Sequence, residues 1–395
     1  MKICKPLTIV ALVLLFAMTF SEISSAEGIG DREKMASTVE KLMQDNAIPG
    51  AVVLLRKGND QWLQAFGVAD LKTGQPVTTD MAFRIGSNTK TMTGTVVLQL
   101  IQEGKLKLTD TVSKFFDNVP QGDQITIADL LAMRSGIPTY SDLKSVNRQL
   151  DQQPQKGFTT AELIQLGIEQ KPLFKPGAEF NYSNTNYIML GVIIERLTGM
   201  SLEEAFQQRI FTPLAMKHTS MPTATDWKMP SPYAHGYLFG TNESTLDDLA
   251  LPKDQQKLAV EGKLLPTDVT NGNPSWAWAA GGAVSTAEDL ATYVEAMVAG
   301  GLLDEAWHNI RLDSFKPNNP MQPEATAYGL GIAKFGPLLG HDGSLPGYQS
   351  FMGFDPQTGM TLIVLTNLQN TPSGEGAANL LTKELCKQIY GAPID

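Results

Sequence analysis

The sequence predicts a mixed α/β (α+β) protein: one sheet assembled from both ends of the chain, with helices at either end and a mostly helical middle. Three observations carry that prediction. Short apolar runs of strand character fall before about residue 70 and again after about residue 325. The stretch 121–253 shows little period-two alternation and many Pro, Asn and Gln. Amphipathic segments at helical spacing lie outside both sets of strands.

Residues 1–26 read as a targeting segment. Lys2 and Lys5 give a positive start, 9–20 is an apolar run too short to span a bilayer comfortably, and Ser24-Ser25-Ala26 offers small residues for cleavage after Ala26. The expectation is an exported protein, periplasmic or secreted, without stable membrane insertion after cleavage. Residues 32–45 follow as a helix, with Met35, Val39, Leu42 and Met43 on one face. Pro49-Gly50 stops it. Residues 51–55 and 61–69 then form a hairpin around Arg56-Lys57-Gly58.

Ser87 opens the next helix. Met92, Val96, Val97, Leu100 and Ile101 share one face, and Gly104 marks its end. Further helices are expected at 127–133, 161–168 and 187–197, short strands at 328–333, 348–354 and 360–366, and a closing helix at 376–389. The expected division is a discontinuous α/β part, 27–120 with 254–395, and a mostly helical part, 121–253.

Composition narrows the function. With 42% hydrophobic and 18% charged residues the chain is an ordinary globular protein. A net charge of -10 argues against nucleic acid as a partner, since phosphate binding needs a basic surface. Cys4 and Cys386 make no zinc framework. No H-E-x-x-H occurs around His218, His235, His308 or His341, so no catalytic metal is expected. Cleavage would leave Cys386 alone, without an intramolecular disulfide.

The motifs that carry chemistry are S-x-x-K at Ser87 and Lys90, Y-x-N at Tyr182 and Asn184, and H-x-G at His341 and Gly343, separated by about 95 and then about 160 residues. They supply a serine nucleophile, a lysine one helical turn away, a phenol, an amide and an imidazole. Those are the parts of a serine acyl-transfer site that works without a Ser-His-Asp triad. A second S-x-x-K, Ser141 to Lys144, has no apolar stripe behind it and is set aside as the nucleophile. Lys72-Thr73-Gly74 lies upstream of Ser87 and reads as a surface turn.

These residues resemble a family of serine hydrolases that includes class C β-lactamases, serine DD-carboxypeptidases and related esterases and D-aminopeptidases. The resemblance covers nearly the whole chain after residue 26. Phe83-Arg84-Ile85-Gly86-Ser87-Asn88-Thr89-Lys90 is very like the family's nucleophile segment. Lys175-Pro176-Gly177 leading to Tyr182-Ser183-Asn184, Ala280-Gly281-Gly282 with Ser285 to Leu290, and Gly340-His341-Asp342-Gly343 with Pro346-Gly347-Tyr348 also match. Leu130-Leu131 with Ser135-Gly136 is similar to a family motif that usually carries His before the Ser; Met133-Arg134 departs from it.

The resemblance implies a β-lactamase/DD-peptidase-like fold, with an antiparallel sheet, a helical domain and an active site in the cleft between them. Ser87 would form an acyl-enzyme, with no cofactor needed. Lys90 and Tyr182 are both candidates for its base, and the sequence does not choose. Asn184 would hold the acyl amide of the substrate. The backbone N–H groups of Ser87 and Ser344 would bind the oxyanion. His341 would relay a proton or fix the Tyr182 hydroxyl.

Substrates would be small peptides, amides, esters or β-lactams. H-x-G favours a DD-carboxypeptidase or D-amino-acid peptidase on peptidoglycan-type peptides. The alternatives are an esterase, a class C-type β-lactamase, or a non-catalytic penicillin- or peptide-binding protein. Asp342 is a departure: family carboxypeptidases place a hydroxyl between His and Gly for the substrate carboxylate. Ser344 keeps a hydroxyl nearby, and Lys334 is the candidate compensating charge.

Overall fold

The computed structural model describes residues 28–322 and 325–392, so the expected targeting segment and Cys4 lie outside the described residues. Strands from both ends of the chain build one nine-stranded antiparallel sheet. They are β1 (Gly50–Lys57), β2 (Asp60–Asp70), β3 (Gln75–Pro76), β4 (Lys316–Pro317), β5 (Thr326–Tyr328), β6 (Ala333–Phe335), β7 (Leu338–Leu345), β8 (Tyr348–Asp355) and β9 (Met360–Thr366). Their order is β3-β2-β1-β9-β8-β7-β6-β5-β4. The two ends meet where β1 pairs with β9, Val53 opposite Val364 and Leu54 opposite Ile363.

Both faces of β1 are covered, which explains why residues 50–55 are continuously apolar instead of alternating. Ala51, Val53 and Leu55 pack under helices α1 (Arg32–Asp45) and α5 (Ala377–Tyr390), against Met35, Val39, Leu381 and Leu385. Val52 and Leu54 face the other way, into a cluster with α4 (Ala287–Ala299) through Leu290 and Val294. That cluster continues through α2 (Thr89–Gln102) into α3 (Asn184–Thr198) and the helices Ile127–Leu131 and Thr160–Ile168. Among the described residues no helix is long and apolar enough to cross a membrane.

Several expectations are corrected in detail. Helix α2 is buried on nearly all sides, not on one apolar face; the hydroxyls of Thr91 and Thr95 bond to carbonyls one turn back, so polar residues enter the core satisfied. The expected strand at 328–333 is two short strands, β5 and β6, split by a tight turn in which Gly329 N donates to Ile332 O at 2.8 Å. Gly331, at φ 69°, adopts the left-handed conformation that turn requires. Helix α3 starts at Asn184, not at Tyr187, and the helix expected at 127–133 ends at Leu131 because Met133 has φ 59°. Residues after Ser141 do form a helix, Lys144–Gln152, held by Val146 and Leu150 at i and i+4. Helix α4, capped by Thr286 accepting from Asp289 N, was not anticipated.

Gly191 lies where α3 packs against the segment Trp278–Gly281. A Cβ there would lie 2.6 Å from both Ala279 Cβ and the Trp278 ring. Gly191→Ala is therefore expected to cost about 1–3 kcal/mol of stability by overpacking, despite the better helix propensity of Ala. The urea midpoint of purified protein checks this, and an unchanged or raised midpoint counts against the contact.

Candidate active site

Ser87 lies in the 3-10 turn Gly86–Asn88 that leads directly into α2. Two glycines let this turn press against strand β7. A Cβ on Gly86 would stand 2.6 Å from the Ser344 backbone nitrogen, and one on Gly343 would stand 2.1 Å from Ile85 O. Buried Asn88 donates to Ile85 O (3.1 Å) and to Ser350 Oγ (2.7 Å), tying the turn to β8. The half-buried Ser87 hydroxyl is thereby set at a helix start, with the Ser344 amide alongside.

Lys90, one turn on, is fully buried. Its Nζ contacts Ala280 O (2.6 Å), Asn184 Oδ1 (2.7 Å) and Ser87 Oγ (3.0 Å), and no carboxylate pairs with it among the described residues. Burial drives its pKa well below that of a free lysine, against a smaller upward pull from Asp342. A neutral amine has two hydrogens and one lone pair. The carbonyl and the amide oxygen accept both hydrogens, leaving the lone pair directed at the Ser87 hydroxyl.

Tyr182 arrives on a turn docked on Met133-Arg134. Asn181 N donates to Met133 O (2.9 Å), Gly177 N to Arg134 O (2.8 Å) and Ser183 N to Met133 Sδ (3.3 Å). Arg134, where the family pattern carries His, donates to Pro317 O (3.0 Å) and lies over Phe180. Ser135 donates to Asn186 Oδ1 (2.7 Å), so that motif buttresses α3. The Tyr182 ring lies 4.7 Å from Lys90 Nζ. Its hydroxyl is buried and has no hydrogen bond of normal geometry. Burial raises its pKa well above the phenol range, with nearby Ser87 pulling slightly down.

Asn184 has both ends of its amide occupied. Oδ1 accepts from Lys90, and Nδ2 donates to Ser141 Oγ at 2.9 Å. Ser141 in turn contacts Thr139 Oγ1 (2.8 Å), which accepts from Asn184 N (3.1 Å). Ser141, set aside as a nucleophile, thus belongs to the site as a support for Asn184. Lys144 points elsewhere, to Asp247. Lys72-Thr73-Gly74 forms an exposed turn, as expected, capped by Asp70.

His341 lies on β7, 2% exposed, with its ring centroid 6.1 Å from that of Tyr182. It does not bond to the Tyr182 hydroxyl: Nε2 meets Tyr328 Oη at 3.0 Å and Nδ1 meets the Asp342 backbone oxygen at 2.5 Å. Tyr328 was missed in the sequence because nothing local distinguishes an aromatic in Ala327-Tyr328-Gly329. Asp342 accepts from Asn379 Nδ2 of α5 at 3.2 Å. Burial raises its carboxyl, but bonds from His341 and Asn379 prevail and the net pKa is low, so it is ionised. Lys334 is exposed on β6 and makes no ion pair with it. Ser344 is exposed, its hydroxyl accepting from Gln369 Nε2 (3.2 Å).

The Gly343 contact with Ile85 leaves no room for a methyl, and the obstacle is backbone. Gly343→Ala is expected to separate Ser87 from the Ser344 amide and to slow labelling by a fluorophosphonate at least about a hundredfold, the scale for misplacing reacting groups by about 1 Å. Labelling at the parental rate counts against this geometry.

The sequence model of the family described as Beta-lactamase matches residues 35–387. A Staphylococcus aureus (strain MW2) protein named Protein flp is 34% identical over 195 residues, covering 48% of this chain and 38% of that protein, so the match spans well under half of that relative. A D-stereospecific amidohydrolase from Streptomyces sp. superposes with TM-score 0.76 at 28% identity, over 91% of this chain and 98% of that one. The D-amino acid amidase from Ochrobactrum anthropi SV3, complexed with D-phenylalanine, gives 0.73 at 26%, over 91% and 99%. A match over most of the chain, on the fold and residues described above, makes this protein a member of the Beta-lactamase family of serine hydrolases.

Proposed function

We propose that this hydrolase acylates Ser87 with small D-configured peptides or amides, and that it acts outside the cytoplasm as its first 26 residues suggest. The observation that carries the reading is the Lys90 amine, buried without a counter-ion between two fixed acceptors and the Ser87 hydroxyl. Its lone pair takes the Ser87 proton as Oγ bonds to the substrate carbonyl carbon. The N–H groups of Ser87 and Ser344 receive the oxyanion. As the carbon–nitrogen bond breaks, the proton passes through the Tyr182 hydroxyl to the leaving amine. Water then enters by the same path and releases the acid. Burial favours this division, a neutral amine as base and a phenol as donor, over a phenolate base.

D-configuration is supported by the two structural neighbours, which are a D-stereospecific amidohydrolase and a D-amino acid amidase. Asp342 supports a leaving group without a free carboxylate: its own carboxylate occupies the donor, Asn379, that such a group could use. The second reading is a DD-carboxypeptidase, favoured by H-x-G in place of a lysine motif.

Four outcomes are expected. An acyl adduct seen by intact-mass spectrometry should vanish in Ser87→Ala and persist in Ser141→Ala; mapping to Ser141 would sink the assignment. Lys90→Ala and Tyr182→Phe should each slow acylation at least about a hundredfold. Acylation in the parent should rise with pH through the lowered Lys90 pKa, because the active form is deprotonated, and level off above it. Tyr182→Phe should keep that limb and Lys90→Ala should lose it. Finally, Asp342→Thr should raise kcat/KM on D-Ala-D-Ala peptides relative to D-amino acid amides by about tenfold, since like charges a few ångströms apart cost roughly 1–4 kcal/mol. An unchanged ratio means Asp342 does not select the leaving group.

A further inference from the structure

His341 has the wrong connections for the proton shuttle its motif suggests. Its Nδ1 lies 2.5 Å from the carbonyl oxygen of Asp342, and a carbonyl only accepts, so Nδ1 carries the hydrogen. In the opposite tautomer two lone pairs would face each other at that distance. Nε2 meets the Tyr328 hydroxyl at 3.0 Å, and in the Nδ1–H tautomer it accepts from that hydroxyl. Both ring nitrogens are occupied by the protein. Neither is offered to Tyr182 or to a substrate.

Tyr328 itself is 3% exposed, and burial holds its hydroxyl protonated well above the ordinary phenol range, which keeps it a donor. Its ring also meets Tyr182 edge-on, with centroids 6.4 Å apart and planes at 88°, while Phe180 packs on it at 5.8 Å. Tyr182 thus lies against two rings, His341 and Tyr328, that are bonded to each other, and its own hydroxyl has no hydrogen bond of normal geometry. Without the Tyr328 hydroxyl, a bare Nε2 would be an acceptor free to take the Tyr182 hydroxyl and turn it from Ser87.

We propose that Tyr328 is a positioning residue of the hydrolytic site: it occupies Nε2 of the Nδ1–H tautomer that the Asp342 carbonyl fixes, so that the His341–Tyr328 pair acts as a fixed wall that aims the Tyr182 hydroxyl at Ser87. The proposal rests on Ser87 being the nucleophile, but its first readout does not depend on activity.

Long-range proton–nitrogen correlation spectra of protein with isotope-labelled histidine distinguish the two tautomers and the cation. The chain has four histidines, and a His341→Gln sample identifies the resonances in question. The parent protein at about pH 7 should show His341 as the single Nδ1–H form; an Nε2–H form or a cation overturns the proposal without any variant. Tyr328→Phe keeps the ring and removes the donor. It should leave the Nδ1–H form in place, shift the Nε2 resonance as its hydrogen bond is lost, and lower kcat on a D-amino acid amide about tenfold, the scale of one hydrogen bond, with KM changed less than about twofold. A fall in kcat with the Nε2 resonance unchanged means Tyr328 acts by packing alone, and a shifted Nε2 resonance with parental kcat means the wall does not aim Tyr182; either result overturns the proposal. If the parent hydrolyses no amide or ester at all, the proposed function fails while the tautomer measurement still stands.

Discussion

The site is organised around one costly placement, an amine removed from water with no carboxylate paired to it among the described residues. An ammonium ion buried alone is strongly disfavoured, so the fold at Lys90 is compatible with neutral nitrogen or with displacement of the side chain. Everything that touches the amine removes the second option. Helix α2 holds the stem, Ala280 and Asn184 take the hydrogens, and the Tyr182 ring closes the remaining side. Asn184 is itself tied through Ser141 and Thr139. The burial that would be a defect in another helix here favours the unprotonated amine, whose lone pair faces the Ser87 hydroxyl.

The close approach of β7 to the Ser87 turn is the second constraint, and it is made by backbone. Gly86 and Gly343 are placed where side chains would collide with a peptide unit instead of with another side chain. A flexible neighbour could yield; a strand paired to β8 through Gly343 opposite Ser350 cannot do so without losing its ladder. The geometry between the nucleophile and the nearby amide therefore has the stiffness of a sheet.

What could be read from the sequence was local or periodic. The helix 32–45 and the strand 360–366 are bounded as expected, because a cap, a turn or a Gly marks each end. Ser87, Lys90, Tyr182 and His341 could be listed because each stands in a short pattern, and the fold does gather them. What could not be read depends on partners distant in sequence. Tyr328 meets His341, and Ser141 meets Asn184, and neither carries a signature in its own neighbourhood. The polar atoms of Asn184 and His341 are likewise met by neighbours that their own motifs do not contain. Helix α2 looked one-sided because its threonines count as polar until their hydroxyls are seen bonded to its own backbone.

The pairing of β1 with β9 joins segments about 300 residues apart, in the middle of the sheet. A chain emerging from the ribosome, or drawn through a membrane pore, would carry β1 and β2 for most of its length as a hairpin with one apolar, unpaired edge. The nucleophile segment would be complete in that state, but the strand it presses against would not yet have been made. Closure of the sheet and assembly of the reactive centre are thus the same late event. A chain cut short before residue 360 would be both chemically silent and prone to stick to its neighbours, so reactivity in this architecture reports that the polypeptide is whole.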